Sequence, residues 1–266
     1  MKILIFWDVF WRIGRRALEK ELPILKNKFN PDFIVANVEN ATSGRGIIEK
    51  HALELGDLWI DIMTSWDHVF DNFVKIKEYL EEEDSKLIRV ANFYDDENLE
   101  GKWYKLIEKN GKKLLVVHLL SETFMNHKVY NPFLKIQEIL SKFENEKIDW
   151  IVIDFHKEVT SEGYWMAHLL DSKVSFVFWT HTHIQTNDEL IFPGGTWLIS
   201  DVWMSWPLFS VIGADFNSVK NRFLTGINKW KIEQCLDKNY VVNWVCIEIE
   251  DMKCVNIEKI RIRGSL

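Results

Sequence analysis

Cysteine is scarce in this 266-residue sequence: Cys235, Cys246 and Cys254 form an odd set with no C-x-x-C spacing. That excludes a disulfide framework and a thiolate zinc site, and it suits a reducing compartment. Long apolar runs are missing too. "MKILIFWDVF" reaches Asp8 after a run too short for a signal-peptide core, and no later run approaches the roughly 20 apolar residues of a membrane helix. The expectation is a soluble, cytoplasmic protein with no membrane partner. Positive charge is not in excess, since 33 Lys and Arg face 40 Asp and Glu for a formal net charge of −7. A broad nucleic-acid-binding surface is therefore excluded, because such surfaces rely on clustered Lys and Arg. A small anionic substrate stays open if a metal supplies positive charge locally. No internal repeat, low-complexity tract or Pro/Gly-rich linker is present. Glycine is short as well: twelve glycines stand beside thirteen tryptophans, although glycine ordinarily makes up about 7% of a protein.

With 47% hydrophobic residues the chain can bury a large core, and one domain over residues 1–266 is the expectation. Short apolar runs alternate with longer amphipathic segments. "KILIF" (2–6), "DFIVAN" (32–37) and "LWIDIMT" (58–64) are separated by helical patterns over 15–29 and near 45–55. "KLLVVHLL" (113–120), "DWIVIDF" (149–155) and "VSFVFW" (174–179) are separated by helices around 132–144 and 161–170. This predicts βαβ units and largely parallel sheets covered on both faces. "KNGKK" (109–113) predicts a hairpin turn, "TWLISDV" (196–202) a further strand, 215–224 a helix, and "NWVCIEIED" and "CVNIEKIRI" a closing antiparallel pair. The charged stretch "EYLEEEDSK" (78–86) reads as a solvated helix end.

Polar residues cluster just past the carboxyl ends of these strands: Asp8, then Glu39 and Asn40, then Asp67 and His68, then His156, then His181 and His183. In α/β sheets that edge is where ligands bind. Each residue alone has an ordinary structural explanation, such as a helix cap for Asp8 or a core histidine for His156. Together, carboxylate, amide and imidazole donors from five segments suit two adjacent first-row divalent ions, Fe, Mn or Zn. Such ion pairs clamp the attacking and leaving oxygens of displacement at phosphorus.

"WDVFWRIGRRA", "ANVENATSGRGI", "TSWDHVFD", "VIDFHKEVTSE", "WTHTHIQTND", "FPGGTWLISDVWMSWP" and "RFLTGI" resemble, in order and over nearly the whole chain, the YmdB-like bacterial metallophosphoesterases. The resemblance implies an α/β fold, the four-layer αββα sandwich of calcineurin-like phosphoesterases. It also implies a dinuclear site and phosphodiesterase activity on cyclic nucleotides, 2′,3′-cyclic or 3′,5′-cyclic, by metal-activated hydroxide attack. On this resemblance Asp8 and His183 hold one metal, Glu39 bridges, and Asp67, His156 and His181 hold the other. Asn40 contacts substrate phosphate, and His68 stabilises the transition state or protonates the leaving oxygen. A homo-oligomer, dimer or tetramer, is also implied. A phosphomonoesterase or nucleotidase on the same metals, and a catalytically silent regulatory protein of the same fold, remain alternatives.

The chain departs from the family pattern in two ways. Asp67 stands where the pattern has Asn, and its added negative charge should make metal-bound water less acidic. Trp7, Trp11, Trp59, Trp66, Trp103, Trp179, Trp203, Trp206 and Trp244 stand where the pattern has glycine. Gly→Trp exchange is disruptive wherever glycine serves for positive φ or close approach. Two readings are open. One is a gene from a lineage that reads UGA as glycine, translated with UGA as tryptophan. The other is a set of genuine tryptophans forming an aromatic wall around a substrate base.

Overall fold

The computed structural model describes residues 1–66, 68–94, 98–179, 181–202, 204–227, 229 and 231–266. Asp67 and Trp203, two of the positions singled out above, lie outside the described residues.

The first sheet is built on β1 (Lys2–Phe6), β2 (Phe33–Asn37), β3 (Ile62–Thr64) and β4 (Leu87–Ile88), which run parallel in that order. The second has β5 (Tyr104–Lys109), β6 (Lys112–Leu120), β7 (Trp150–His156), β8 (Phe176–Phe178), β9 (Leu190–Ile191) and β10 (Trp197–Ile199), in the order β5-β6-β7-β8-β10-β9. Its inner strands β6, β7, β8 and β10 are parallel, and β5 and β9 close its edges antiparallel. β11 (Trp206–Pro207), β12 (Asn239–Glu250) and β13 (Lys253–Ser265) return to the first sheet, where β12 pairs antiparallel with β1. The first sheet is therefore mixed, not parallel throughout.

Side chains alternate across each strand, and this sorts them into layers. Ile3 and Ile5 of β1, Val35 of β2, Val116 of β6 and Val152 of β7 share one apolar cluster between the sheets. Leu4 and Phe6 point the other way, onto α1 (Trp11–Phe29), α2 (Glu49–Gly56) and α3 (Lys77–Glu81). Val117 and Ile153 pack under α4 (Pro132–Ser141) and α5 (Thr160–Leu170). Helices, sheet, sheet and helices make four layers of the calcineurin-like type.

Local chemistry sets the element ends. The apolar stripe Ile13, Ala17, Leu18, Leu22, Leu25 and Phe29 has the spacing that buries one face of α1. Asn30, left-handed at φ 46, ends it. Asn131 caps α4 by accepting from two backbone N–H groups, with Pro132 in the first turn. Asp215 does the same for α6 (Phe216–Thr225), and Gly226 in the left-handed region stops it. The hairpin at Asn110 and Gly111 has both residues at positive φ, 54 and 73, as a tight primed turn requires. Three strands are shorter than the apolar runs predict. In 58–64 only Ile62–Thr64 is strand, because Trp59 takes φ 65 and turns the chain first. In 196–202 only Trp197–Ile199 is strand, and in 174–179 only Phe176–Phe178.

Candidate metal centre and active site

Both sheets direct the carboxyl ends of their parallel strands to the same edge. Asp8 follows β1, Glu39 and Asn40 follow β2, His156 is the last residue of β7, and His181 and His183 follow β8. Glu39, Asn40, His68, His156, His181 and His183 all line one cavity of about 440 Å³. Asp8 lies buried beside it.

The described candidates meet in pairs. His183 Nδ1 is 3.0 Å from Asp8 Oδ2, and Asn40 Nδ2 donates to that same oxygen at 2.9 Å. The other Asp8 oxygen, Oδ1, is buried with no hydrogen-bond partner among the described residues. His181 Nδ1 lies 3.2 Å from His156 Nε2, and His181 Nε2 is 2.7 Å from Glu158 Oε2. Glu39 is fully buried and accepts the His68 backbone N–H at 3.0 Å. Among the described residues no three His, Cys, Asp or Glu side chains converge on a single point. The Trp66 ring lies near both pairs: it stacks on His156 with centroids 4.1 Å apart and is 6.4 Å from His183.

Charge and strain mark the same place. Burial, reinforced by the neighbouring histidines, pushes His156 well below the usual imidazole range, so it is neutral with a lone pair to donate. Burial is the largest influence on His183 and works against its charged form, but the hydrogen bond to Asp8 and the charges of Asp8 and Asp201 together outweigh it and raise its pKa. Asp8 and His183 take positive φ, 36 and 61, a costly backbone for non-glycine residues that clusters at functional sites.

These side chains fit divalent ions. A buried carboxylate oxygen without a partner costs free energy until something cationic or a donor meets it. Asp8 Oδ1 is such an oxygen, and neutral imidazoles with carboxylates are the donor set that first-row metals take.

Sequence reasoning overlooked Asp201. It follows β10 at the same sheet edge, and its Oδ2 accepts from the backbone N–H groups of His181 and Thr182 at 3.1 and 2.8 Å. It thereby shapes the His-x-His loop. A carboxylate after a strand was the available signal, hidden inside the apolar stretch "TWLISDV". Asp71 and Arg45, beside His68, were also overlooked.

A YmdB-like protein family model matches residues 4–260. The 2′,3′-cyclic-nucleotide 2′-phosphodiesterase of Bacillus subtilis (strain 168) is 34% identical over 268 residues, covering 100% of this chain and 98% of its own. The crystal structure of a phosphatase from Mycoplasma pneumoniae superposes with a TM-score of 0.90 at 28% identity, covering 100% of this chain and 94% of that one. The calcineurin-like phosphoesterase YfkN of Bacillus subtilis, at 12% identity and TM-score 0.53 over 100% of this chain and 90% of that one, shares the fold. With two facing sheets, a polar cavity at their shared carboxyl edge and relatives matched from end to end, the chain belongs to the YmdB-like family and is a phosphoesterase.

Proposed function

We propose that this phosphoesterase is a dinuclear-metal phosphodiesterase acting on small phosphodiesters, cyclic nucleotides above all. The observation that carries the reading is the buried Asp8 Oδ1, without a hydrogen-bond partner among the described residues, beside His183, which lines the cavity together with Glu39, His156 and His181. Asp8 and His183 would hold one ion, Glu39 would bridge, and Asp67, His156 and His181 would hold the second. Two such cations supply Lewis acidity toward the phosphoryl oxygens and toward attacking water.

The chain's own groups do the rest. Asn40, held by its bond to Asp8, presents its amide to a substrate phosphate. His68 is fixed through its main chain to Glu39, and its ring Nε2 lies 3.9 Å from Glu39 Oε1. From there it serves as general acid to the leaving oxygen. Phe124, Ile212, Phe223 and Ile232 are among the other residues that line the cavity, apolar surface suited to a nucleoside. The name of the Bacillus subtilis relative points to the same substrate class.

One observation favours a second reading, a silent protein of the same fold: the Trp66 ring is stacked on His156 and lies 6.4 Å from His183, crowding an imidazole of each ligand pair. The test is hydrolysis of bis-p-nitrophenyl phosphate and 2′,3′-cyclic AMP with added Mn²⁺, alongside metal analysis. Turnover of both esters, abolished by Asp8→Ala and by chelation, is expected. Retained metal without turnover of either would establish the silent reading.

A further inference from the structure

A second pocket, of about 270 Å³, lies where the first turns of α1 meet the chain that leads into β12. It shares no lining residue with the cavity of the candidate metal centre. Arg12, Ile13 and Arg16 come to it from α1, Gln234 and Lys238 from the segment before β12. No Asp or Glu lines it; Leu266, also in the lining, offsets one of the three cations with its carboxylate.

These cations are placed against the interest of the fold. The chain has a net charge of −7, yet among the described residues Arg12, Arg16 and Lys238 form no ion pair. Arg15 shows what an arginine of this helix does when the fold employs it: it donates to the Ala41 carbonyl and lies 4.0 Å from Glu54. Arg12 and Arg16 are exposed instead, and at i and i+4 they share a helix face, where like charges repel. They also sit at the start of α1, whose dipole disfavours cations there and whose first turn holds no acidic residue. Arg12 weighs on Arg15 too, whose pKa is lowered first by burial and, against the pull of Glu54, by the Arg12 charge. Gln234 adds a spare donor, since its Nε2 is buried with no hydrogen-bond partner among the described residues. An anion in the pocket would answer all of this, meeting both guanidinium groups and the positive end of the helix.

We propose that this pocket is an anion site for a phosphate group, free or carried on a small molecule, held by Arg12, Arg16 and Lys238. The inference does not depend on the phosphodiesterase reading. Guanidinium forks match phosphate oxygens, and the lysine adds a point charge. The volume is just below the roughly 300–1,000 Å³ of pockets that enclose whole ligands, so it suits a phosphate group better than an entire nucleotide.

The test is calorimetric titration of the full-length chain with inorganic phosphate and with 3′-AMP, in chelator so that metal ions at the other cavity do not bind the probes. Saturable binding of at least one probe below about 10 mM is expected. Arg16→Gln, which keeps most of the stem and removes the charge, should weaken it at least about tenfold. Arg222→Gln, in the cavity of the candidate metal centre, should leave it within about twofold. Equal or tighter binding of inorganic phosphate identifies free phosphate as the ligand, and tighter 3′-AMP identifies a phosphate monoester; either supports the site. No binding of either probe, binding unchanged by Arg16→Gln, or a tenfold loss in Arg222→Gln would overturn the proposal. Thermal unfolding separates a ligand-binding arginine from a structural one. In phosphate-free buffer Arg16→Gln should melt no lower than the unaltered chain, because it relieves repulsion, and it should lose the rise in Tm that phosphate gives the unaltered chain. A Tm lowered by more than about 2 °C without phosphate would mean that the arginine serves the fold, and would also overturn the proposal.

Discussion

At the scale of single residues, the tryptophans govern what the site can do. The Trp66 indole lies against His156 and its centroid is 6.4 Å from that of His183, so it takes up space beside an imidazole of each ligand pair. Trp66→Gly should therefore raise the Mn²⁺ retained per chain after gel filtration toward two; an unchanged metal count would show that the ring is not the obstacle. Backbone geometry makes a second case at Trp11 and Trp59, which take φ 55 and 65. That region costs a non-glycine residue about 1–2 kcal/mol. Trp59 is half exposed and the Lys26 ammonium lies 4.0 Å from its ring, a pairing that contributes about 0.5–1 kcal/mol at such a site. Trp59→Gly should thus be neutral or stabilise the fold by up to about 1 kcal/mol in urea unfolding, although tryptophan removal usually destabilises. A loss above about 1 kcal/mol would contradict this. Trp7, Trp66, Trp103 and Trp244 also bury indole N–H groups with no partner among the described residues. Trp179 packs so closely on α5 that a Cβ at Gly163 would lie 2.5 Å from its ring. Glycine at these positions removes each of these costs, as the UGA reading requires, and UGG codons in the gene would exclude that reading.

At the scale of elements, β6 and β7 are register partners that place His118 opposite Asp154. Both are fully buried, 3.7 Å apart, and neither ring nitrogen nor carboxyl oxygen has a hydrogen-bond partner among the described residues. Burial pushes His118 down to about 3 and Asp154 up to about 8, from ordinary values of 6.5 and 3.8. The unfolded chain binds a proton at His118 below pH 6.5 that the fold refuses, so stability falls as pH drops from 6.5 to 3. It also releases a proton from Asp154 above pH 3.8 that the fold keeps, so stability falls as pH rises from 4 to 8. Each acts at roughly 1.4 kcal/mol per pH unit. They cancel between about pH 4 and 6.5 and leave a net loss from 6.5 to 8. In urea melts with a chelator present, Asp154→Asn should abolish that loss and expose the fall below 6.5; an unaltered profile would mean the pair does not titrate this way. Elements of this kind were partly legible. Apolar runs and the "KNGKK" turn revealed the strands, because burial on both faces needs continuous apolar sequence. Pairing a histidine with an aspartate across two strands is a matter of register, which neither run discloses.

At the scale of the whole molecule, the catalytic edge was legible because one rule of α/β sheets gathers the ends of parallel strands. The apolar wall was not. Phe124, Ile212, Phe223 and Ile232 come from loops and from α6, far apart in sequence and without a periodicity that marks them as one surface. The fold brings them to the cavity that holds His156 and His183. Phe223 is 74% exposed, so a substitution there costs little packing and reports mainly on what binds. If that wall takes the base of a cyclic nucleotide, stacking is worth about 1–3 kcal/mol per base, which corresponds to a KM change of about 5- to 160-fold. Phe223→Ala should then raise KM for 2′,3′-cyclic AMP by at least about fivefold. KM for a base-free ribose 2′,3′-cyclic phosphate, which makes no such contact, should stay where it was. An equal rise for both substrates would place the residue against the ribose or the cavity mouth, and the apolar wall would no longer account for a preference for nucleotides.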